Sequence, residues 1–481
     1  MLSFMTSSIK LCLGFFATLT LVACGDSGTK DGVNSPWDIE QESSSSEGML
    51  PRDSVFKPDM PPHEGEHENH FDDREPPEKN PGEWPPENER PENGWPGNER
   101  PGNTPWESSS SLELPEGISS SSFEESSSSV QFLSPYIIGA DISKFQEYES
   151  YNTVIYDVDG SEKTIFELLK DHGFNAIRLK TFVSPKAKNG YASEGCGADS
   201  ESFGDKEHVI AYAKKVKRNG FKFLLDIHYS DNWADPNSQI IPERWRGVTS
   251  SDAMADSVYN YTLDLLSALK SAGAMPDMVQ IGNEITNGML RDLPTSSTNC
   301  WGDNVVWAPS NINGVMENQT GISNTVKYLK SGIKAARAVS NDIKTVLHIE
   351  SFGKPTTVNW WMNAIIKNGG VPADIMAFSA YTAYGDGGPS NWESLLNSLA
   401  NAYPNLEFLI AEYNGGDSKN NYNFDGSRAE TNLMMRRVKN GLGAFFWEPA
   451  SYGEWGAALF DWEGNTLHAN KKAMDEYKLL F

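Results

Sequence analysis

Eight times between Ile137 and Trp447, a short apolar run gives way to a longer stretch of helical periodicity. The runs are Ile137 to Asp141, Ala176 to Lys180, Lys222 to His228, Met278 to Gly282, Lys344 to Ile349, Ile375 to Ser379, Glu407 to Ala411 and Gly443 to Trp447. None alternates strictly between apolar and polar, the pattern of parallel strands covered on both faces. Between them lie stretches such as KTIFELLKDHG, DKEHVIAYAKKVKRNG, SDAMADSVYNYTLDLLSALKSAG and NTVKYLKSGIKAARAVS. Gly173, Gly220, Gly273 and Gly441 stand just before the next run, where a glycine stops a helix. Eight β-α units in residues 134–481 predict an α/β fold, a (β/α)8 TIM barrel with long loops. A doubly wound open sheet is the alternative, but no glycine-rich phosphate loop opens the first helix.

Residues 1–133 read differently. Lys10 precedes the apolar run LCLGFFATLTLVA, short for a membrane span but suited to a signal peptide over 1–23. Leu21-Val22-Ala23-Cys24 has the form of a bacterial lipobox, in which Cys24 is lipidated and becomes the new N-terminus. Gly25, not Asp, follows it, which favours onward transport to the outer membrane. Residues 24–133 hold four serine runs and Pro/Glu/Asn/Gly-rich text such as EWPPENERPENGWPGNERPGNTPW. They carry about −18 of the net charge of −26. High charge with little apolar surface leaves chain entropy unopposed, so this segment is expected to be a disordered, extended stalk. The expected location is the cell surface or outer membrane, with the folded domain extracellular or periplasmic.

About −9 then remains on residues 134–481, with no basic stripe for a nucleic acid. Cys12 leaves with the signal and Cys24 takes the lipid. Cys196 and Cys300, both in polar loop text, are the pair that an oxidising compartment would join.

In a barrel of this kind, chemistry sits at the C-terminal ends of the strands. Those ends carry Asp141, Arg178 with Lys180, Asp226 with His228, Asn283 with Glu284, His348 with Glu350, Tyr381, Glu412, and Trp447 with Glu448. Four carboxylates compete for acid/base and nucleophilic roles: Glu284, Glu350, Glu412 and Glu448. Strands four and seven face each other across a barrel, so Glu284 and Glu412 are suited to flank one glycosidic bond. Glu448 reads as structural.

Taken in order, IGADIS, FNAIRLKTF, DIHYSDNWADPNSQIIPERW, QIGNEITNGML, VLHIESFG, WEPA and ALFDWEGNTL resemble glycoside hydrolase family 53, the endo-β-1,4-galactanases. The resemblance covers about Ile138 to Phe481, and Asp226 to Trp245 is its most specific segment. It implies a retaining hydrolase of β-1,4-galactan, the side chains of pectic arabinogalactan. Glu284 would be the general acid/base and Glu412 the nucleophile. Asn283 would bond the sugar 2-hydroxyl, Arg178 would hold the nucleophile ionised, and Tyr381 would orient it. Asp226 and His228 would line the cleft, and Trp233 and Trp447 would stack on sugar rings. No organic cofactor is implied and the domain is expected to be a monomer. Some relatives bind calcium near strand eight; Asp417, Asn420, Asn421 and Asp425 could supply oxygens, but their spacing is no recognised loop, and no metal is expected.

The sequence departs from the family at Arg291, where a Trp is usual, at AYTAYG after strand six, and at Tyr413-Asn414-Gly415 after the nucleophile. The first two touch subsites and leave other glycans open: mannan, xylan or glucan cut by the same chemistry. A surface lipoprotein that binds glycan without cutting it is the further alternative.

Overall fold

All eight apolar runs become strands of one closed parallel barrel in the computed structural model. They are β1 (Ile137–Asp141), β2 (Ala176–Thr181), β3 (Lys222–Ile227), β4 (Met278–Ile281), β5 (Lys344–Ile349), β6 (Ile375–Ala380), β7 (Glu407–Tyr413) and β8 (Gly441–Phe446). Sequence neighbours are spatial neighbours throughout, and β1 closes the circle on β8, with Ile137 opposite Gly443. His228, Gly282 and Trp447 fall just past their strands, β7 runs on to Tyr413, and β8 starts earlier, at Gly441. The structure describes residues 136–194, 196, 201–415, 427–453 and 455–481. The signal peptide, Cys24 and the stalk lie outside the described residues, as do Asp417, Asn420, Asn421 and Asp425.

A helix follows each strand: α1 (Ile165–Asp171), α2 (Lys206–Arg218), α3 (Ser251–Ser271), α4 (Gln319–Val339), α5 (Pro355–Met362, continued by a π-helical turn, Asn363–Asn368), α6 (Pro389–Ala402), α7 (Ser427–Arg437) and α8 (Lys471–Tyr477). The starts of α1, α2, α3, α4 and α8 are fixed by side chains that accept from otherwise unpaired backbone N–H groups. Thr164 and Glu167 make a reciprocal capping box, and Asp205, Ser250, Asn318 and Asn470 cap singly. Gly173, Gly220 and Gly273 take up positive φ after α1, α2 and α3. Gly441 does not: the left-handed turn after α7 falls on Asn440, and Gly441 already belongs to β8. In α2 the buried residues are Val209, Tyr212, Ala213 and Val216, one face at helical spacing.

Two apolar layers result. One lies between barrel and helices. The other fills the lower barrel with Ile137, Leu224, Met278, Val346, Ile375, Leu409, Phe445 and neighbours. Phe445 lies opposite Gly139 on the neighbouring strand, and any Cβ on Gly139 would stand 2.3 Å from its ring, so this close approach calls for glycine. Above that plug the inward positions turn polar, and the site begins.

Candidate active site

Arg178, inward on β2, is the hub of the polar layer. Its Nη1 donates to Asp141 at 2.9 Å, and its Nη2 reaches Asp226 at 2.8 Å, Asn283 Oδ1 at 2.9 Å and Glu412 Oε1 at 2.9 Å. A guanidinium carries five donors in a rigid plane, which lets one buried cation hold groups from four strands or strand ends. Asp226 also accepts from Gln280 Nε2 and sits 3.0 Å from His228 Nε2. The backbone N–H of Ala234 donates to His228 Nδ1 at 2.9 Å, so Nδ1 is the acceptor and the Nε2–H donates to Asp226. Asp226 is 0 % exposed and His228 3 %. Asp226 thus braces Arg178 directly, and His228 braces Asp226.

A β-bulge aims Glu412. On β7, Ile410 pairs with Phe378 and Glu412 with Ser379, which leaves Ala411 without a partner on β6. Leu409 and Ala411 both belong to the apolar plug, so strict alternation would turn Glu412 outward. The extra residue turns it back to the interior. Tyr381, just past β6, donates its hydroxyl to Glu412 Oε2 at 2.9 Å. Its own backbone N–H is held by Asp386 Oδ2 at 3.2 Å.

Glu284 is aimed by its backbone. Gly282 (φ +85) and Glu284 (φ +48) both take left-handed conformations at the end of β4. For a glutamate that is an uncommon state, held here by its surroundings. Glu284 Oε1 accepts from Ser379 Oγ at 2.6 Å. Ser379 lies 2.9 Å from His348 Nε2, and His348 Nδ1 lies 2.9 Å from Asn283 Oδ1. A continuous chain thus runs from Glu284 through Ser379, His348, Asn283 and Arg178 to Glu412. Asn283 gives one Nδ2 proton to Ala234 O, which leaves the other for a ligand.

The two glutamates are not equivalent. Burial pushes Glu284 well above the usual carboxylate range, and the negative charges of Glu412 and Glu350 push it further. Burial also raises Glu412, but Arg178 and the Tyr381 hydroxyl pull against it. Because Arg178 is shared with Asp141 and Asp226, it does not bring Glu412 below the ordinary range. Glu284, with no cation beside it among the described residues, takes the proton of the pair; Glu412 gives it up first. His348 is driven well below its ordinary value by burial and by Arg178, and is neutral.

An aromatic wall stands on the β8, β1 and β2 side. Trp447, joined to Glu448 by a cis peptide bond, meets Trp455 (5.0 Å between ring centres), Tyr381 (6.2 Å) and Trp233 (6.4 Å) edge to face. Trp233 in turn abuts Phe182 and Tyr191. Burial pushes Glu448 up to about 7, and pushes Lys180 down. Cys196 and Cys300 are joined by a disulfide with Cα atoms 5.3 Å apart, linking the loops after β2 and β4. Arg291 is buried and committed, with Nε on Asp292 at 2.9 Å and Nη2 on Pro236 O at 2.9 Å. Its place is in the scaffold of the β4 loop. Among the described residues no cluster of three His, Cys, Asp or Glu could hold a metal ion. Ser379, Gln280 and Asp386 were not legible as site residues: Ser379 ends its apolar run, but Gln280 lies inside one and Asp386 in the loop after β6.

The sequence profile described as Glycosyl hydrolase family 53 matches residues 137–479. An arabinogalactan endo-β-1,4-galactanase of Thermothelomyces thermophilus is 29% identical over 65% of this chain and 89% of its own length. One from Cellvibrio japonicus is 26% identical over 66% of this chain and 81% of its own. The solved family 53 catalytic domain of Ignisphaera aggregans superposes with a TM-score of 0.57 at 26% identity, covering 72% of this chain and 96% of that one. With its barrel and its two strand-end glutamates, the chain belongs to glycosyl hydrolase family 53 and is a glycoside hydrolase.

Proposed function

We propose that this protein is a retaining endo-hydrolase of β-1,4-galactan. The observation that carries the mechanism is the unequal pair. Glu284 has no cation partner among the described residues and keeps its proton; Glu412 is held by Arg178 and Tyr381 and gives its proton up first. A protonated Glu284 gives its proton to the leaving glycosidic oxygen. Ionised Glu412 attacks the anomeric carbon from the other face and forms a glycosyl-enzyme, which water attacks with Glu284 now acting as base. The remaining Nδ2 proton of Asn283 would serve the sugar 2-hydroxyl, and Trp447 the ring face.

The substrate reading rests on family membership and on relatives whose names specify β-1,4-galactan. Digestion of a polysaccharide panel tests it. Galacto-oligosaccharides of several lengths should appear from β-1,4-galactan, with no release from mannan, xylan or glucan. Release from one of those in place of galactan would move the substrate while keeping the chemistry. Binding to galactan with no new reducing ends would leave a glycan-capture protein. For location we propose a lipid anchor at Cys24 and a stalk over residues 25–133, which place the barrel outside the membrane facing polymeric substrate. Metabolic labelling with a fatty acid, lost on Cys24→Ser, tests the anchor.

A further inference from the structure

The barrel mouth holds two buried ionisable groups that neither the Arg178 network nor the proposed chemistry uses. They are Lys180 on β2 and Glu448, just past β8. Strands β8, β1 and β2 are consecutive round the barrel, so both groups belong to one wall. Lys180 is 4 % exposed and Glu448 5 %. Among the described residues, Lys180 Nζ has no hydrogen-bond acceptor and Glu448 Oε1 no donor. The other oxygen of Glu448 is 3.9 Å from Lys144 Nζ.

The ammonium of Lys180 stands against rings, 4.2 Å from the centre of Trp233 and 4.7 Å from that of Tyr191. Cation–π attraction offsets part of its desolvation. It satisfies none of the three N–H donors, and buried donors left unmade are costly. An aliphatic side chain would pack among these rings at less cost, so the fold itself gives no reason for an ammonium here. Trp233 lies edge-on to Trp447, which connects this wall to the reacting site. Asp141, Glu147 and Glu448 act on Lys180 together with the ammonium of Lys144, and Asp141 is itself paired with Arg178. The charges about Lys180 balance, with no excess of cations to hold an anionic sugar.

We propose that Lys180 and Glu448 form a sugar-binding subsite that grips two neighbouring hydroxyls of a neutral hexose in the chain beside the cleavage point. Lys180 donates to one hydroxyl, Glu448 accepts from the other, and the Trp233–Trp447 wall lies against the ring. The subsite rests on the polysaccharide reading given under Proposed function.

Calorimetric binding of galacto-oligosaccharides to the full chain carrying Glu412→Gln, which cannot turn over, tests it. Adding Lys180→Met should weaken galactopentaose by about tenfold or more while the melting temperature holds or rises, because a buried unpaired charge has been removed. Adding Glu448→Gln should weaken it by a few-fold or more. Pentaose affinity within twofold of the parent would overturn the proposal. Should Lys180→Met fail to fold, the Glu448→Gln comparison decides by the same criterion. If the Glu412→Gln parent binds manno-, xylo- or gluco-oligosaccharide but not galacto-, the galactan reading has failed and the same variants are scored on the ligand that binds. If it binds none, both readings fail.

Discussion

Ser379 gives its hydroxyl to Glu284 at 2.6 Å, while its backbone pairs with Glu412 across β6 and β7. One small residue therefore touches Glu284 by its side chain and sets the register of Glu412 by its main chain. The Ser379–His348 contact can run in either direction, because a hydroxyl donates or accepts and a neutral imidazole has two tautomers. When Glu284 is ionised, Ser379 donates to it; when Glu284 is protonated, Ser379 can turn to His348.

Ser379→Ala removes a donor that favours the ionised form of Glu284, so the acid's pKa should rise further. The basic limb of kcat/KM against pH should move to higher pH, and kcat should fall by about tenfold as the acid loses its positioning. Pre-steady-state and steady-state pH profiles of Ser379→Ala beside the parent check this. A basic limb that moves to lower pH would contradict it.

Glu284→Gln should stabilise the domain at neutral pH even as it abolishes turnover. The folded pKa of Glu284 is raised above its value in the unfolded chain, near 4.3. A carboxyl of this kind contributes most to stability below the unfolded pKa. It loses roughly 1.4 kcal/mol per pH unit on the way up to the folded pKa. Gln, neutral at every pH, removes that loss. The melting temperature of Glu284→Gln should match the parent near pH 4 and exceed it by a few degrees near pH 8; the reverse order would show that Glu284 is stabilised as a carboxylate.

The Cys196–Cys300 bridge closes a loop of 104 residues between two long loops on the catalytic face. In the chain-entropy treatment such a closure stabilises the fold by about 3–5 kcal/mol. Cys300→Ser should lower the urea midpoint accordingly with little change in the secondary structure. Peptide mapping without reductant should recover both cysteines in one linked fragment; two alkylated free thiols would contradict the bridge.

The barrel was legible because its signals are local and repeated: eight apolar runs, helix faces at periodic spacing, and glycine stops at Gly173, Gly220 and Gly273. Both glutamates were legible because each ends such a run. What stayed hidden depends on contacts between distant residues or on backbone irregularity. Nothing in LEFLIAEYNG shows that Ala411 is bulged, although that bulge is what aims Glu412. Asp226 and His228 sit in the most specific motif, but that Asp226 holds Arg178 and His228 holds Asp226 follows from the barrel's interior layering, which a linear motif does not display. Asn440 in place of Gly441 is a smaller instance, a left-handed turn carried by the other residue that tolerates it.

The central claim is that Glu284 and Glu412 act as acid/base and nucleophile in a double displacement on β-1,4-galactan. Proton NMR of a galacto-oligosaccharide digest, read before mutarotation, tests it most directly. Two inversions at the anomeric carbon leave the configuration unchanged, so the new reducing end should appear first as the β anomer, with the α anomer growing in afterwards. An α anomer formed first would mean a single displacement by water, and would remove Glu412 from the role of nucleophile.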